Sequence, residues 1–340
     1  MKKHFIAGVS MIFLLGSVLT ACGGGSNTTT IEPAKTDAAQ EAPKEAAADD
    51  KLETKFATVA TGGASGPYNI LATSLTDIYS KTYGVNSKTQ TTGASVENMN
   101  LLKQGKVEMA FVMSDVLSEA INAEGSFTEK VDNVQQIAAL YPNYVQVVTS
   151  NSTGIETFSD LKGKRIAVGA QNSGVEVNAR TLLEAHGITY NDIKVDYLGY
   201  AEAADGLKAG KLDAAFLTSG IPNSSLMELA QSFDLKIVPI EGSAIEELAK
   251  TKNYFVTGTI PAGTYKNEAD IPTAAIMNAL VVRSDLSEGD VYKLTKTFFE
   301  SLDTLANAHQ SAKEISLEGA QNGLVAPLHP GAQKYYDEKK

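Results

Sequence analysis

Two loops built from glycine and serine are where this chain could do chemistry. The first, Thr61-Gly62-Gly63-Ala64-Ser65-Gly66-Pro67, follows the β-leaning run Phe56–Ala60 and precedes Ile70, Leu71, Leu75 and Ile78 at helical spacing. Glycines this dense suit a turn with positive φ or backbone that must come close to something. Pro67 suits a first helical turn, where a missing N–H costs nothing. A strand, a glycine loop and a helix leave backbone N–H groups at a helix N-terminus, an end that attracts anions. The competing reading is an ordinary strand-to-helix turn. The second loop, Gly169-Ala170-Gln171-Asn172-Ser173-Gly174-Val175-Glu176, repeats the arrangement, with a helix over 177–186 closed by Gly187. Between the two, a strand over 86–92 runs into Gly93-Ala94-Ser95-Val96-Glu97-Asn98, where Ser95 and Asn98 are either helix caps or ligand groups. A further apolar strand, Val107–Met113, delivers Ser114 and Asp115 ahead of a helix over 116–123. Small polar loops at successive strand ends point to a cleft with one loop on each wall.

Positioning such loops takes an α/β fold. Strand, loop and helix units recur along the body, and from Leu52 onward there are about 290 residues, long for one core and natural for two domains. One internal echo stands out. Gly105-Lys106-Val107-Glu108 and Gly210-Lys211-Leu212-Asp213 each end a helix, place an acid, and lead into a buried-looking strand. Thr218-Ser219-Gly220-Ile221-Pro222-Asn223 forms another small polar loop. The stretch 134–149 reads as two strands, 134–144 and 145–149, or as a strand and a turn around Pro142, and 261–272 as an irregular segment. Met277–Arg283 reads as a strand. Asp290–Ala308 reads as one helix with Val291, Leu294, Phe298, Leu302 and Leu305 on a face.

The N-terminus speaks to compartment. Lys2, Lys3 and His4 precede an apolar run over 5–19, and small residues then lead to Cys22, the one cysteine present. This resembles a bacterial lipoprotein signal (1–21) in which Cys22 is lipidated. Residues 22–51, rich in Gly, Thr, Ala, Glu and Pro, read as a disordered tether. The body is then expected at the outer face of the cytoplasmic membrane or in the periplasm. With 40 acidic against 29 basic residues, the chain lacks the basic surplus that a nucleic-acid partner needs. His4, His186, His309 and His329 lie in no nucleophile elbow, HExxH helix or Cys/His cluster, so no enzyme is expected. The first loop is neither GxGxxG nor a P-loop, and nothing has metal-ligand spacing, so no cofactor and no metal are expected.

Six ordered blocks carry a resemblance over the body. They are TGGASGPY (61–68), TTGASVENMNLLKQGKVEMAFVMSD (91–115), LKGKRIAVGAQNSGVEVNARTLLEAHG (161–187), GKLDAAFLTSGIPN (210–223), AGTYKNEADIPT (262–273) and LHPGAQKYY (328–336). Together they resemble the TAXI-type solute-binding proteins of tripartite ATP-independent periplasmic (TRAP) transporters. The resemblance implies an α/β two-lobed periplasmic-binding-protein fold, with lobe one at 52–147 plus 257–340 and lobe two at 148–256. It implies a monomer that captures a small organic acid, a glutamate-like amino acid or a dicarboxylate, and delivers it to a cation-coupled permease without ATP hydrolysis. Carried over by motif, the ligand candidates are Thr61, Gly62, Gly63, Tyr68, Ser95, Glu97, Asn98, Ser114 and Asp115 on one wall. On the other they are Asn172, Ser173, Gly174, Val175 and Ser219. Hydroxyls and N–H groups at helix N-termini suit a carboxylate, and Glu97 or Asp115 would serve an ammonium group. The competing reading makes Ser95, Ser173 and Asp115 helix caps and Glu97 an exposed first-turn acid. Asn69 and Val175 stand where the family has a second tyrosine and a threonine, a change that is either neutral or favours a ligand with fewer polar groups. The rival receptor reading couples the same lobes to a sensor kinase or an ABC-type permease.

Overall fold

The computed structural model describes residues 51–340; the expected signal segment, Cys22 and the tether up to residue 50 lie outside the described residues. The first half opens with β1 (Phe56–Ala60), α1 (Pro67–Tyr83), β2 (Asn86–Gln90), α2 (Ser95–Lys103), β3 (Met109–Met113) and α3 (Ser114–Asn122). After the long β4 (Val134–Ser150), the pattern returns as β5 (Arg165–Ala167), α4 (Gly174–Ala185), β6 (Lys194–Asp196), α5 (Tyr200–Lys208), β7 (Ala214–Ser219) and α6 (Ser224–Leu229). Then come β8 (Leu235–Val238), α7 (Gly242–Ala249), β9 (Phe255–Ile260) and the long β10 (Ile271–Arg283). Three helices close the chain: α8 (Glu288–Glu300), α9 (Leu302–Ala308) and α10 (Pro330–Glu338).

All strands join one mixed sheet, in the order β2-β1-β3-β10-β4-β7-β5-β6, with β8 on β4 and β9 on β10. Within each half the strands run parallel: β1 lies between β2 and β3, and β5 between β6 and β7. Strands β10 and β4 are antiparallel to their neighbours and carry the sheet from one half to the other. Parallel strands with helices on both faces bury side chains on both sides, which explains the unbroken apolar runs. In the first half Tyr79, Phe111, Phe298 and Tyr336 fill one face, and Met99, Leu102, Val112 and Val116 the other. In the second half Phe158, Leu182, Phe216 and Ile245 pack one face, and Leu207, Leu226, Leu229 and Tyr265 the other.

Three local expectations are corrected. Strand β4 runs straight through Pro142, which pairs with Met277 beside a register shift, so its missing N–H falls where the ladder is already irregular. Strand β10 begins at Ile271, six residues before Met277, because its early part pairs with β9. The expected single helix over 290–308 is two, since Ser301 is at once the last cap of α8 and the first cap of α9.

The echo at 105–108 and 210–213 is a paired structural device. Gly105 and Gly210 both hold φ 66°, the left-handed turn that ends a helix. Glu108 then accepts from the Thr58 N–H at 2.8 Å, and its own N–H donates to the Thr58 carbonyl at 3.1 Å. Asp213 does the same to Arg165, accepting from its N–H at 2.8 Å and donating to its carbonyl at 2.8 Å. Each acid pins the third strand of its half to the first. Arg165 also grips Asp213 through its guanidinium at 2.6 Å and holds that carboxyl below its ordinary range. Replacing Asp213 with Ala is expected to cost about 2 kcal/mol, the scale of hydrogen bonds to a charged group. A melting temperature within a degree of the unaltered protein would show that the pin carries no stability.

Candidate functional site

A cavity of about 410 Å³ opens where the loops at the strand ends of both halves converge. The first half contributes Gly62, Gly63, Gly66, Pro67 and Tyr68 from the β1–α1 connection, Thr92, Gly93 and Ala94 ahead of α2, and Met113 at the end of β3. The second half gives Ala170, Ser173 and Val175 around the start of α4, Tyr197, Leu198, Gly199, Tyr200 and Glu202 around the start of α5, and Ser219 at the end of β7. Asn143, from the crossing strand β4, completes the lining.

Helix starts dominate this wall. The first turns of α1, α2 and α5 follow Gly66, Ala94 and Gly199, and none has a side-chain cap. Of their leading residues Pro67 has no N–H, and the N–H groups of Asn69 and Glu97 donate to the Gly66 and Asn172 carbonyls at 3.1 and 3.2 Å; the others have no side chain to answer them and are open to water or a ligand. Ala94 holds φ 86° and ψ −142°, a backbone conformation alanine rarely adopts, and strain of this kind gathers at ligand sites. Helix α4 differs, because Ser173 caps it by accepting from the Glu176 N–H at 3.1 Å. Among the described residues no lysine or arginine lines the cavity, and Glu202 is the one carboxylate in the lining.

The sequence-predicted residues divide into two groups. Gly62, Gly63, Tyr68, Ser173, Val175 and Ser219 line the cavity. Tyr68 offers its ring, since its hydroxyl is spent on Asn278 Oδ1; burial first, then the nearby Tyr141, Tyr200 and Asp115, push that hydroxyl above the ordinary tyrosine range. The remaining candidates stand behind the lining. The Thr61 hydroxyl donates to backbone carbonyls of Gly62 and Gln90. Asn98 gives its amide to the carbonyls of Thr61 at 2.6 Å and Phe111 at 2.8 Å, and accepts from the Thr92 hydroxyl at 2.6 Å. It thereby ties β1, β3 and the α2 loop together. Ser95 Oγ accepts from the Met113 N–H at 3.1 Å, and Glu97 from the Gly93 N–H at 2.6 Å. Ser114 is buried at the start of α3. Asn172 sits at φ 61° and accepts from the Glu97 N–H at 3.2 Å. Gly174 is in close quarters: a Cβ there would meet Met113 Sδ at 2.9 Å and Ser95 Oγ at 3.0 Å.

Sequence reasoning missed Asn143 and the Tyr197–Tyr200 loop. A signal existed for each. Asn143 is a polar residue that follows the apolar run Ile137–Tyr141 and Pro142 within β4, and its carboxamide oxygen is buried with no partner. Leu198-Gly199-Tyr200 follows a strand and opens a helix, the same grammar as the two glycine loops. The Tyr200 hydroxyl donates to the Thr218 carbonyl at 2.6 Å, leaving its ring to the cavity.

A family model described as NMT1-like matches residues 59–339. The chain belongs to the NMT1-like family. Solved structures agree on the architecture. A protein of Bordetella bronchiseptica RB50 is 19% identical with a TM-score of 0.53, over 85% of this chain and 83% of that one. A protein described as a periplasmic transporter is 13% identical with a TM-score of 0.52, over 84% and 93%. The periplasmic aliphatic sulphonate binding protein SsuA of Escherichia coli is 13% identical with a TM-score of 0.44, over 84% and 79%. The fold of this NMT1-like chain is the mixed α/β fold shared with the Bordetella and periplasmic-transporter structures.

In this NMT1-like chain the two halves touch around the cavity. The Ser224 hydroxyl donates to the Ser65 carbonyl at 2.7 Å, and the Gln310 amide to the Ile221 carbonyl at 3.2 Å. At Gly93 a Cβ would lie 2.7 Å from the Gln171 carbonyl oxygen, which belongs to the opposite wall. Gly93→Ala is therefore expected to wedge the walls apart, weakening ligand capture about tenfold or more while leaving the melting temperature without ligand nearly unchanged. Equal loss of both would mean that the glycine serves the fold alone.

Asp115 is buried and outside the cavity lining, bonded instead to the Asn178 amide across the same boundary. One oxygen of each side chain, Asp115 Oδ1 and Asn178 Oδ1, is buried without a partner. A proton on Asp115 gives the pair a donor for such an orphan oxygen. Burial, with Glu119 adding to it, pushes the Asp115 carboxyl up to about 7. Tyr68, Lys252 and Tyr254 face it from neighbouring segments. An unfolded aspartate titrates near ~3.9, so the folded protein holds this proton more tightly. The contribution to stability is complete below about pH 4 and is lost as pH rises through about 7. Asp115→Asn, which keeps the shape without the charge, should melt several degrees above the unaltered protein at pH 8, with the gap closing toward pH 5. A gap independent of pH would remove Asp115 as its source.

Proposed function

We propose that this chain is an extracytoplasmic solute-binding receptor that captures a small organic acid and hands it to a membrane permease. The observation that carries the reading is the cavity wall. Three helix starts without side-chain caps meet at a cavity of about 410 Å³, a volume suited to one small ligand, and among the described residues no lysine or arginine lines it. Helix N-termini hold anions through N–H groups and the helix dipole. The aromatic faces of Tyr68 and Tyr200 and the side chain of Val175 suit a short carbon skeleton. Among the described residues no histidine or cysteine lines the cavity, so its serines have no neighbouring base there, which fits a receptor better than a hydrolase.

The finer reading is a TAXI-type receptor of a TRAP transporter, anchored through Cys22 and specific for a glutamate-like amino acid or a dicarboxylate. Its support is the six ordered sequence blocks and the position of the sole cysteine after an apolar leader. The lining residues Gly62, Gly63, Tyr68, Ser173, Val175 and Ser219 are the proposed ligand contacts, joined by Asn143 and Tyr200.

A thermal-shift screen over amino acids, dicarboxylates and keto acids tests the reading. A bound acid at a hundredfold its dissociation constant stabilises the folded state by about 2.7 kcal/mol, a rise of several degrees. An uncharged solute that shifts the melt when no acid does would overturn it.

A further inference from the structure

We infer that Ser219 is a hydrogen-bond donor of fixed polarity, set by Asn223, Gln146 and Tyr265, and that it takes an unprotonated oxygen of the solute, a carboxylate. The inference rests on the solute-capture reading above and adds to it which way the bond at this point must run.

The polarity follows from backbone groups, which can only donate through N–H. The Asn223 N–H donates to the Tyr265 hydroxyl at 2.6 Å. That hydroxyl therefore sends its own proton to Gln146 Oε1, also at 2.6 Å. The remaining end of the Gln146 amide is its nitrogen, which donates to Ser219 Oγ at 3.0 Å and to the Tyr144 carbonyl at 3.2 Å. A second line reaches the same oxygen. Asn223 Oδ1 accepts from the N–H groups of Ser225 and Leu226, at 3.0 and 3.3 Å, as the cap of α6. Its amide nitrogen is then turned to Ser219 Oγ, at 3.1 Å.

Ser219 Oγ thus accepts twice, which fills both lone pairs of a hydroxyl. What it has left is a proton, and Ser219 is a cavity-lining residue. All four side chains are buried, so reversing any link strands a buried donor. The donor is oriented before the ligand arrives, which spares the cost of turning it on binding. An ammonium or amide nitrogen brought to this point would meet a proton. Gln146, Asn223 and Tyr265 do not line the cavity and act through Ser219 as positioning residues.

A double-mutant cycle tests this, with affinity measured by calorimetry for whichever of succinate, glutarate, 2-oxoglutarate and L-glutamate binds the unaltered protein best. Ser219→Ala should lower affinity about tenfold or more, the scale of one hydrogen bond to a charged group. Tyr265→Phe should lower it by a smaller factor on its own and have no further effect on the Ser219→Ala background, because its influence passes through that hydroxyl. Gln146→Met should give the same pattern and serves where Tyr265→Phe does not fold. Additive losses across the cycle, or an unchanged affinity in Ser219→Ala, overturn the assignment and leave solute capture standing. Failure of all four acids to bind the unaltered protein overturns both readings.

Discussion

Strands β4 and β10 hydrogen-bond to each other across both halves, and every other strand reaches the sheet through one of them. The constraint is topological. A parallel β-α-β unit closes on itself, and two such units share no strand unless long segments run out of one and into the other. Here two antiparallel strands do so side by side. Where they cross, at 141–144 and 275–278, side chains face both structural and ligand tasks. Asn278 joins the Tyr68 hydroxyl to the Tyr141 carbonyl, and Asn143 lies one step along and lines the cavity. A change in the angle between the halves must be absorbed at this crossing, which includes the cavity-lining Asn143.

The repeated parallel order then decides where the ligand can sit. With β1 and β5 central in their halves, the loops after β1 and β5 are the ones flanked by neighbours on both sides. Both are glycine loops, and both are followed by a helix whose N-terminus faces the shared space. Glycine is required at Gly93 and Gly174 because backbone or side chains from across the boundary come within 3 Å of where a Cβ would stand. The acids at 108 and 213 do the complementary work, fixing the far ends of the same strands so that the near ends hold still.

Much of this was legible in the residues. An apolar run, a glycine loop and an apolar helical stripe specify strand, turn and helix independently, and their recurrence specifies the α/β class. The segment over 134–150 was harder because Pro142 is a local breaker, and only the register shift in the paired strand makes it harmless. The break at Ser301 was invisible because the apolar stripe of Val291, Leu294, Phe298, Leu302 and Leu305 continues through it. The site was legible as loops and not as atoms. Asn98 and Ser95 have the residue types of ligand groups, yet neighbouring backbone claims their side chains, and that competition is decided by distances no sequence states. Tyr200 was missed because its loop carries one glycine and no serine, although its place after a strand and before a helix is the same.

A cavity that holds an acid with neutral donors behaves differently from one that uses a cation. A buried lysine or arginine would need its own counter-charge whenever the site stood empty, and leaving it unpaired is costly. Backbone N–H groups and a hydroxyl carry no net charge, so the empty site asks for water alone. The binding energy is then spread over several oriented dipoles, each contributing only while the walls are close enough to exclude water. On the proposed reading closure and capture are one event: when the walls part, water competes for every donor at once and the acid leaves without a salt bridge to break. The close approach at Gly93 and the pairing of Asp115 with Asn178 both lie at that boundary, where a receptor of this proposed kind, which must both hold and surrender its ligand, has to be tuned.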